Sequence, residues 1–330
     1  MKLKIGVLGT GHLGKIHLKC IQASDVLTLV GFYDPDLSTA QKVAETFNTT
    51  AFPSIEALLE AVEAVDIVTP TTTHFSLAKQ AAEQGKHIFI EKPLTHTVLE
   101  GKNLIEIVKK QGVKVQIGHV ERFNPAFLSL GDAPVSPMFI EAHRLATFNP
   151  RGTDVSVVLD LMIHDIDLIL HLVKSEVKSI HASGVAIVSA SPDIANARIE
   201  FENGCVANLT ASRMSLKQMR KVRLFQPDAY ISLDFLEKNA QIIRLLAQDG
   251  ENHEGVDFSQ LMPLETAKGT KWLDIKMPEP LNVNAIQLEL ETFAHSIFHN
   301  QDTRVTIEDG FKALEVAHRI IEEIGDSTAS

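Results

Sequence analysis

Short apolar runs alternate with amphipathic stretches through the first third of the chain. Leu3–Leu8, Leu27–Tyr33, Ala64–Thr69, His87–Ile90 and Lys114–Gly118 are too short for helices and are largely apolar at successive positions. That pattern predicts strands buried on both faces. Between them, Ile16–Ile21, Ala40–Asn48, Ser54–Ala61, Phe75–Gln84 and Thr97–Gln111 carry helical spacing, with Gly85 and Gly112 as stops. A repeated βα pattern implies a mostly parallel sheet with right-handed crossovers.

After a turn-rich break at Gly131–Pro137 the pattern changes to period two. Phe139–Ala146, Val177–Val188, Ala195–Phe201, Val206–Ser212, Lys221–Phe225, Tyr230–Phe235 and Ala240–Leu246 alternate like strands, and Asn203-Gly204 is a strong hairpin signal. Glu251–Pro280 reads as a long loop or irregular hairpin, followed by helices at Val283–Phe298 and Glu308–Ile324. The pattern predicts an α/β domain over residues 1–121 and an α+β domain over residues 122–330.

One stretch does not fit a plain amphipathic helix. Leu159–Val173 is apolar nearly all round, yet Asp160, His164, Asp167 and His171 fall at i, i+4, i+7 and i+11 and share one face. Buried ionisable groups need partners. The stripe is therefore a satisfied core network, a metal site or an acid/base pair facing a substrate. For a metal site of Asp160, His164 and His171, His171 lies about 16 Å along the axis from Asp160, too far to share one ion, and no metal is expected.

Composition narrows the class. The chain has 330 residues, 45% of them hydrophobic, and a net charge of −11, which argues against a nucleic-acid partner. Cys20 and Cys205 match no zinc or redox spacing and read as small buried side chains. No apolar run reaches membrane length, so the expectation is a cytoplasmic protein without a membrane partner. Arg213, Lys217, Arg220, Lys221 and Arg223 form a basic stretch without acidic residues. It fits either a clasp for a phosphorylated substrate or a solvated strand edge.

The chemistry begins at Gly9-Thr10-Gly11-His12-Leu13-Gly14, set between the first strand and the first helix. In that context a Gly-x-Gly-x-x-Gly run predicts a Rossmann dinucleotide site. Gly9 permits the tight turn, Gly11 the approach of a pyrophosphate, and Gly14 close helix–strand packing. Asp34 ends the second strand at the distance expected for a ribose 2′-hydroxyl. It would repel a 2′-phosphate, so NAD is expected rather than NADP. Thr71, His74, Glu91, Lys92 and His119 follow predicted strands, on the rim where such sheets bind ligands. Lys92 is the lysine placed to take part in proton transfer.

Taken in order, the glycine loop, Thr69-Pro70-Thr71-Thr72-Thr73-His74, Glu91-Lys92-Pro93, Gly118–Pro125 and the Asp160…His164…Asp167 helix resemble the Gfo/Idh/MocA oxidoreductase family. The resemblance implies a Rossmann domain followed by an α+β domain with a large, mostly antiparallel open sheet that mediates homodimers or homotetramers. It implies a cis Lys92-Pro93 peptide, a cofactor site including His12, Leu13, Thr71, His74, Glu91 and Lys92, and catalysis by Lys92, His164 and Asp160. Departures appear at Asp154-Val155-Ser156 and Met162, where the family often has glycine, and these bear on the cleft shape. The runs Glu141–Asp154 and His119–Pro125 look most like the branch that oxidises the 3-hydroxyl of UDP-N-acetylglucosamine to a ketone. Arg122, Arg144 and Arg151 are the expected cationic contacts to that substrate, beside Lys92, Asp160 and His164. A dehydrogenase of a free sugar or inositol-like polyol, and a non-catalytic NAD sensor on the same fold, are the alternatives.

Overall fold

The computed structural model describes residues 2–131, 134–148, 155–246, 261–267 and 269–328, with side chains described through residue 325. In chain order, the first elements are β1 (Leu3–Leu8), α1 (His12–Ala23), β2 (Leu27–Tyr33), α2 (Leu37–Phe47), α3 (Ile55–Ala61), β3 (Ala64–Ile67), α4 (His74–Glu83), β4 (His87–Glu91), α5 (Val98–Gln111) and β5 (Val115–Gly118). Then come α6 (Pro125–Leu128), β6 (Phe139–Leu145), a π-helical turn (Val158–Met162) and α7 (Ile163–Val173). The strands β7 (Val177–Val185), β8 (Ile194–Phe201), β9 (Val206–Ser212), β10 (Met219–Phe225), β11 (Ala229–Asp234), β12 (Asn239–Leu246), β13 (Met262–Thr266) and β14 (Gly269–Lys276) follow. The last helices are α8 (Ala285–Phe298) and α9 (Ile307–Thr328). No described helix is long and apolar enough to cross a membrane.

The chain divides into two compact units, Met1–Phe123 with Val283–His318, and Asn124–Asn282 with Arg319–Ser330. The first is built on a parallel sheet in the order β2-β1-β3-β4-β5, so the strand order reverses between β1 and β3. Its strands are apolar on both faces. Leu8, Val65, Ile67, Ile88 and Ile90 enter one core with α3, α4 and α5 residues. Ile5, Val7, Ala64 and Phe89 enter the other with Leu18 of α1, Val43 of α2 and Leu290, Phe293 and Ala294 of α8.

This packing corrects the expected boundary, which gave all of 122–330 to a second domain. α1 and α2 leave part of their face of the sheet to be covered, and α8 helps cover it. Phe293 meets Phe89 edge-on at 6.0 Å between ring centroids, and Gln116 Nε2 of β5 donates to the Glu289 carbonyl at 2.6 Å. Just beyond, the edge strand β5 is closed by residues 303–305. Ile117 N donates to Val305 O at 3.1 Å, and Thr303 Oγ1 donates to Val115 O at 2.7 Å.

The second unit holds a nine-stranded sheet, β13-β14-β12-β11-β10-β6-β9-β8-β7. Every pairing is antiparallel except β6 with β9. Buried and more exposed positions alternate along β6, β8, β9 and β10, as a sheet with one covered face requires. The Asn203-Gly204 turn closes β8 to β9, with Gly204 at φ +85. The described part of the expected loop at 251–280 forms the β13–β14 hairpin. The helix expected at Leu159–Val173 opens with the π-helical turn rather than with regular α-helix.

Candidate active site

In the first unit the site is built at the carboxyl ends of β1 to β4. Gly9 has φ +92, and a Cβ there would lie 2.8 Å from the Val68 carbonyl oxygen. Glycine therefore lets β1 turn beside the loop that leaves β3. A Cβ on Gly14 would run into the Gly9 carbonyl, whereas one on Gly11 would meet nothing within 4 Å. The loop is thus closed on the protein side and open on the other. No side chain caps α1, and its first turn carries no acidic residue, so its positive end is presented at His12 and Leu13. Asp34 is fixed at the end of β2. Its Oδ2 accepts from Thr10 N (2.8 Å) and Thr10 Oγ1 (2.7 Å), and its Oδ1 accepts from Asp36 N (3.0 Å). A carboxylate has about four acceptor positions, so capacity remains for a ribose hydroxyl. Open glycine edge, uncapped helix and held carboxylate together fit a dinucleotide.

The rim residues divide by role. Thr71 is partly exposed, at the start of a 3-10 turn. His74 is buried: its Nδ1 lies 2.9 Å from Pro93 O and its Nε2 2.9 Å from Thr69 O. It ties the loop after β3 to the loop after β4, and burial pushes its pKa down. The Lys92-Pro93 peptide is cis. Glu91 points inward rather than to a ligand. Its Oε1 is 3.2 Å from His17 Nε2, and its Oε2 accepts from Lys92 N at 3.2 Å. His17 Nδ1 meets Asp66 Oδ2 at 2.8 Å. Burial opposes charge on His17, yet Asp66 and Glu91 outweigh it and hold the ring well above its ordinary pKa. Burial likewise opposes charge on Glu91, but His17 and then Lys92 hold that carboxyl low. Periodicity hides this cluster, because His17 and Asp66 sit on apolar faces of α1 and β3. The available signal was a polar residue at a core position of each. Lys92 itself is partly exposed, and His119 is buried.

In the second unit the polar stripe is graded along its helix. Asp160 lies in the π-helical turn and His164 in the first turn of α7, both partly exposed. Asp167 is buried, and His171 is exposed beside Phe127 (5.9 Å). π-Helical turns are frequent at functional sites. Asp165, off the stripe and overlooked in the sequence, accepts a fork from Arg144: Nε to Oδ2 at 3.1 Å and Nη2 to Oδ1 at 2.8 Å, with both residues buried.

That fork commits the Arg144 guanidinium to the fold. Arg122 is buried in the first unit, with Nη1 3.5 Å from Asp309. Arg151 and Asp154 lie outside the described residues. The basic stretch is mostly engaged in the sheet. Arg213 donates to Val155 O (2.6 Å), Lys221 pairs with Asp234 (3.0 Å) and Arg223 with Glu141 (3.2 Å). These pairings argue against a phosphate clasp, and the strand-edge reading is corrected as well, because β10 is paired on both sides, with β11 and β6.

Comparison with known proteins meets this geometry. The sequence matches the family model described as "Oxidoreductase family, NAD-binding Rossmann fold" over residues 3–119, and the "GFO/IDH/MocA C-terminal domain" over residues 116–227. It is 42% identical over 241 residues to the UDP-N-acetylglucosamine 3-dehydrogenase of Acidithiobacillus ferrooxidans, covering 73% of this chain and 76% of that protein. The chain belongs to the Gfo/Idh/MocA oxidoreductase family. A solved structure of the Acidithiobacillus enzyme superposes with a TM-score of 0.87 at 34% identity, covering 99% of this chain and 98% of that one. The scyllo-inositol 2-dehydrogenase (NAD(+)) of Bacillus subtilis is 32% identical over 234 residues, covering 65% of this chain and 68% of that protein. A Lactobacillus casei scyllo-inositol dehydrogenase, solved with NAD(H) and scyllo-inositol, shares the fold at 21% identity with a TM-score of 0.77. As a Gfo/Idh/MocA member the chain is an NAD-dependent oxidoreductase acting on CH–OH groups, and the glycine loop and Asp34 belong to its NAD-binding Rossmann unit.

Proposed function

We propose that this oxidoreductase converts the 3-hydroxyl of UDP-N-acetylglucosamine, or of a closely related nucleotide sugar, to a ketone. The observation that carries the substrate is the 42% identity to a UDP-N-acetylglucosamine 3-dehydrogenase, against 32% to an inositol-acting relative. NAD, when bound, supplies the hydride acceptor. His164 takes the hydroxyl proton as general base, the side chain type most often used for that role. Asp160 orients the ring and stabilises its cation. Lys92 hydrogen-bonds the same oxygen and carries the proton onward. Arg122, Arg144 and Arg151 are the proposed cationic contacts to the substrate.

The test is direct. Purified protein is mixed with NAD and UDP-N-acetylglucosamine and the reduced-nicotinamide absorbance is followed. Turnover of the nucleotide sugar is expected. Turnover of free inositol in its place would sink the substrate assignment. Lys92→Ala and His164→Ala should each lower kcat by about 10²–10⁴, the usual contribution of an acid/base group. A loss below about tenfold in either would remove that residue from the mechanism.

We further propose self-association to a homodimer or homotetramer through the outer face of the nine-stranded sheet. The incompletely buried aromatic row Phe139–Phe225–Tyr230 supports this, with ring centroids 6.0 and 5.1 Å apart. Light scattering should give a mass at a multiple of the 36.3 kDa chain, and Phe225→Glu should reduce it. We also propose a cytoplasmic location, where NAD and a nucleotide sugar would meet.

A further inference from the structure

Beneath Lys92 the first unit buries four ionisable side chains, and the chemistry above uses none of them directly. His17 of α1 stands between Asp66 of β3 and Glu91 of β4. Glu289 of α8 completes the group, with a carboxylate oxygen within 4.8 Å of both His17 and Glu91 ligand atoms. Glu289 is 0% exposed, and neither of its oxygens has a hydrogen-bond partner among the described residues. The space is shaped for a carboxylate at Glu91, because a Cβ on Gly118 would come within 2.7 Å of its Oε1. Phe89 closes the cluster against the His17 ring (6.0 Å), and Phe293 of α8 packs on Phe89.

Charge accounting decides the state of this group. One imidazolium faces three carboxyl groups. Like charges in one buried site cannot all ionise, and a buried carboxylate without donors is strongly disfavoured. Asp66 has His17, while Glu91 has His17 and the Lys92 N–H. Glu289 has no donor among the described residues, but as an acid it carries its own. We propose that Glu289 is held as the neutral acid and donates its proton toward the His17–Glu91 pair, completing a buried network that fixes the backbone of Lys92.

The other charged groups facing the cluster are consistent with this. Lys92 lies at the end of β4, Cys20 one turn along α1, and Glu121 in the turn after β5. Burial pushes the Glu289 carboxyl up; Glu91, Asp66 and Glu121 add to that, and His17 opposes. His17, Glu91 and Glu289 also have ligand atoms close enough for a divalent cation. With Nδ1 on Asp66 and Nε2 at ion-pair distance from Glu91, however, the ring serves as the positive charge instead of offering a lone pair.

The inference rests on the reading of Lys92 as catalytic, and the test separates the two. Infrared spectra of the full-length protein at neutral pH should show a protonated carboxylic-acid band that disappears in Glu289→Gln. Glu289→Leu should lower kcat about tenfold or more, with KM for NAD little changed, since small displacements of reacting groups cost that much. Glu289→Gln, which keeps size, neutrality and a donor, should restore most of the loss. If Glu289→Leu does not fold, the infrared band and the thermal stability of Glu289→Gln decide. That variant should gain on the wild type as pH rises above about 4.3, because the unfolded chain then releases a proton that the folded state still holds. Absence of the band, equal activity of the Leu and Gln variants, or a stoichiometric metal lost in Glu289→Leu would each overturn the network. A loss below about tenfold in Lys92→Ala would overturn the lysine's role and leave the infrared result standing.

Discussion

Arg144 and Asp165 illustrate how much a single buried charge depends on its partner. Their fork is bidentate and both residues are about 3% exposed, so removing either takes a two-bond partner away from a buried charge. Arg144→Met and Asp165→Leu should each cost about 3–5 kcal/mol in reversible urea unfolding, and the double variant should recover much of it. A pair worth less than about 1 kcal/mol in that cycle would behave like a surface ion pair and refute the buried assignment. His17 makes a complementary prediction in pH. It takes up a proton on folding, because Asp66 and Glu91 hold it above its ordinary value against the effect of burial. Its contribution is whole below about pH 6.5 and fades as pH climbs through the raised folded-state value. The Tm of the wild type should therefore fall relative to His17→Gln over that range, and parallel pH profiles would show that His17 is not cationic. At this scale the sequence exposes single residues better than pairs. Gly9, Asp34 and Lys92 could be placed by spacing, whereas Asp165 and Glu289 acquire meaning only from partners distant in sequence, and no local period records those.

Elements were legible where their ends carry chemistry. Thr97 caps α5 and Glu100 reciprocates, forming a capping box, while Gly112 at φ +66 ends the helix. Ser54 caps α3 by accepting from Ala57 N. Thr97→Ala should cost about 1 kcal/mol, read as a lower urea midpoint with unchanged slope. Elements without such marks stayed hidden. β13 is exposed at nearly every position, so it shows no alternation of apolar and polar residues. The π-helical turn at Val158–Met162 has the same helix-forming composition as α7, and its widened geometry has no composition of its own. The β1–α1 connection is the element on which cofactor binding depends. Gly9→Ala adds a left-handed strain of about 1–2 kcal/mol and a contact with the Val68 carbonyl. NAD affinity measured by calorimetry should weaken about tenfold or more. An unchanged affinity would mean that the loop binds nothing that depends on its shape.

At the scale of the whole molecule, the Rossmann unit is not a contiguous piece of chain. Chain order suggested a break near residue 121, because the βα repeat stops there. A parallel sheet needs cover on both faces, however, and the repeat itself does not supply all of it. Leu290, Phe293 and Ala294 of α8 are all fully buried in the core formed by Ile5, Val7, Leu18 and Phe89. Thr303 and Val305 close the β5 edge, which would otherwise present unpaired backbone groups. Two fragments separate the alternatives. Residues 1–123 alone should expose that apolar face and strand edge, and should aggregate or lack a cooperative thermal transition. The same residues joined to 283–318 by a flexible Gly/Ser linker should melt cooperatively and bind NAD. Within the full chain, Phe293→Ala should cost about 3–5 kcal/mol and weaken NAD binding, although Phe293 is remote in sequence from the glycine loop. A 1–123 fragment that folds and binds NAD as tightly as the linked form would show that the returning helices are dispensable. The boundary near residue 121 would then be the true one.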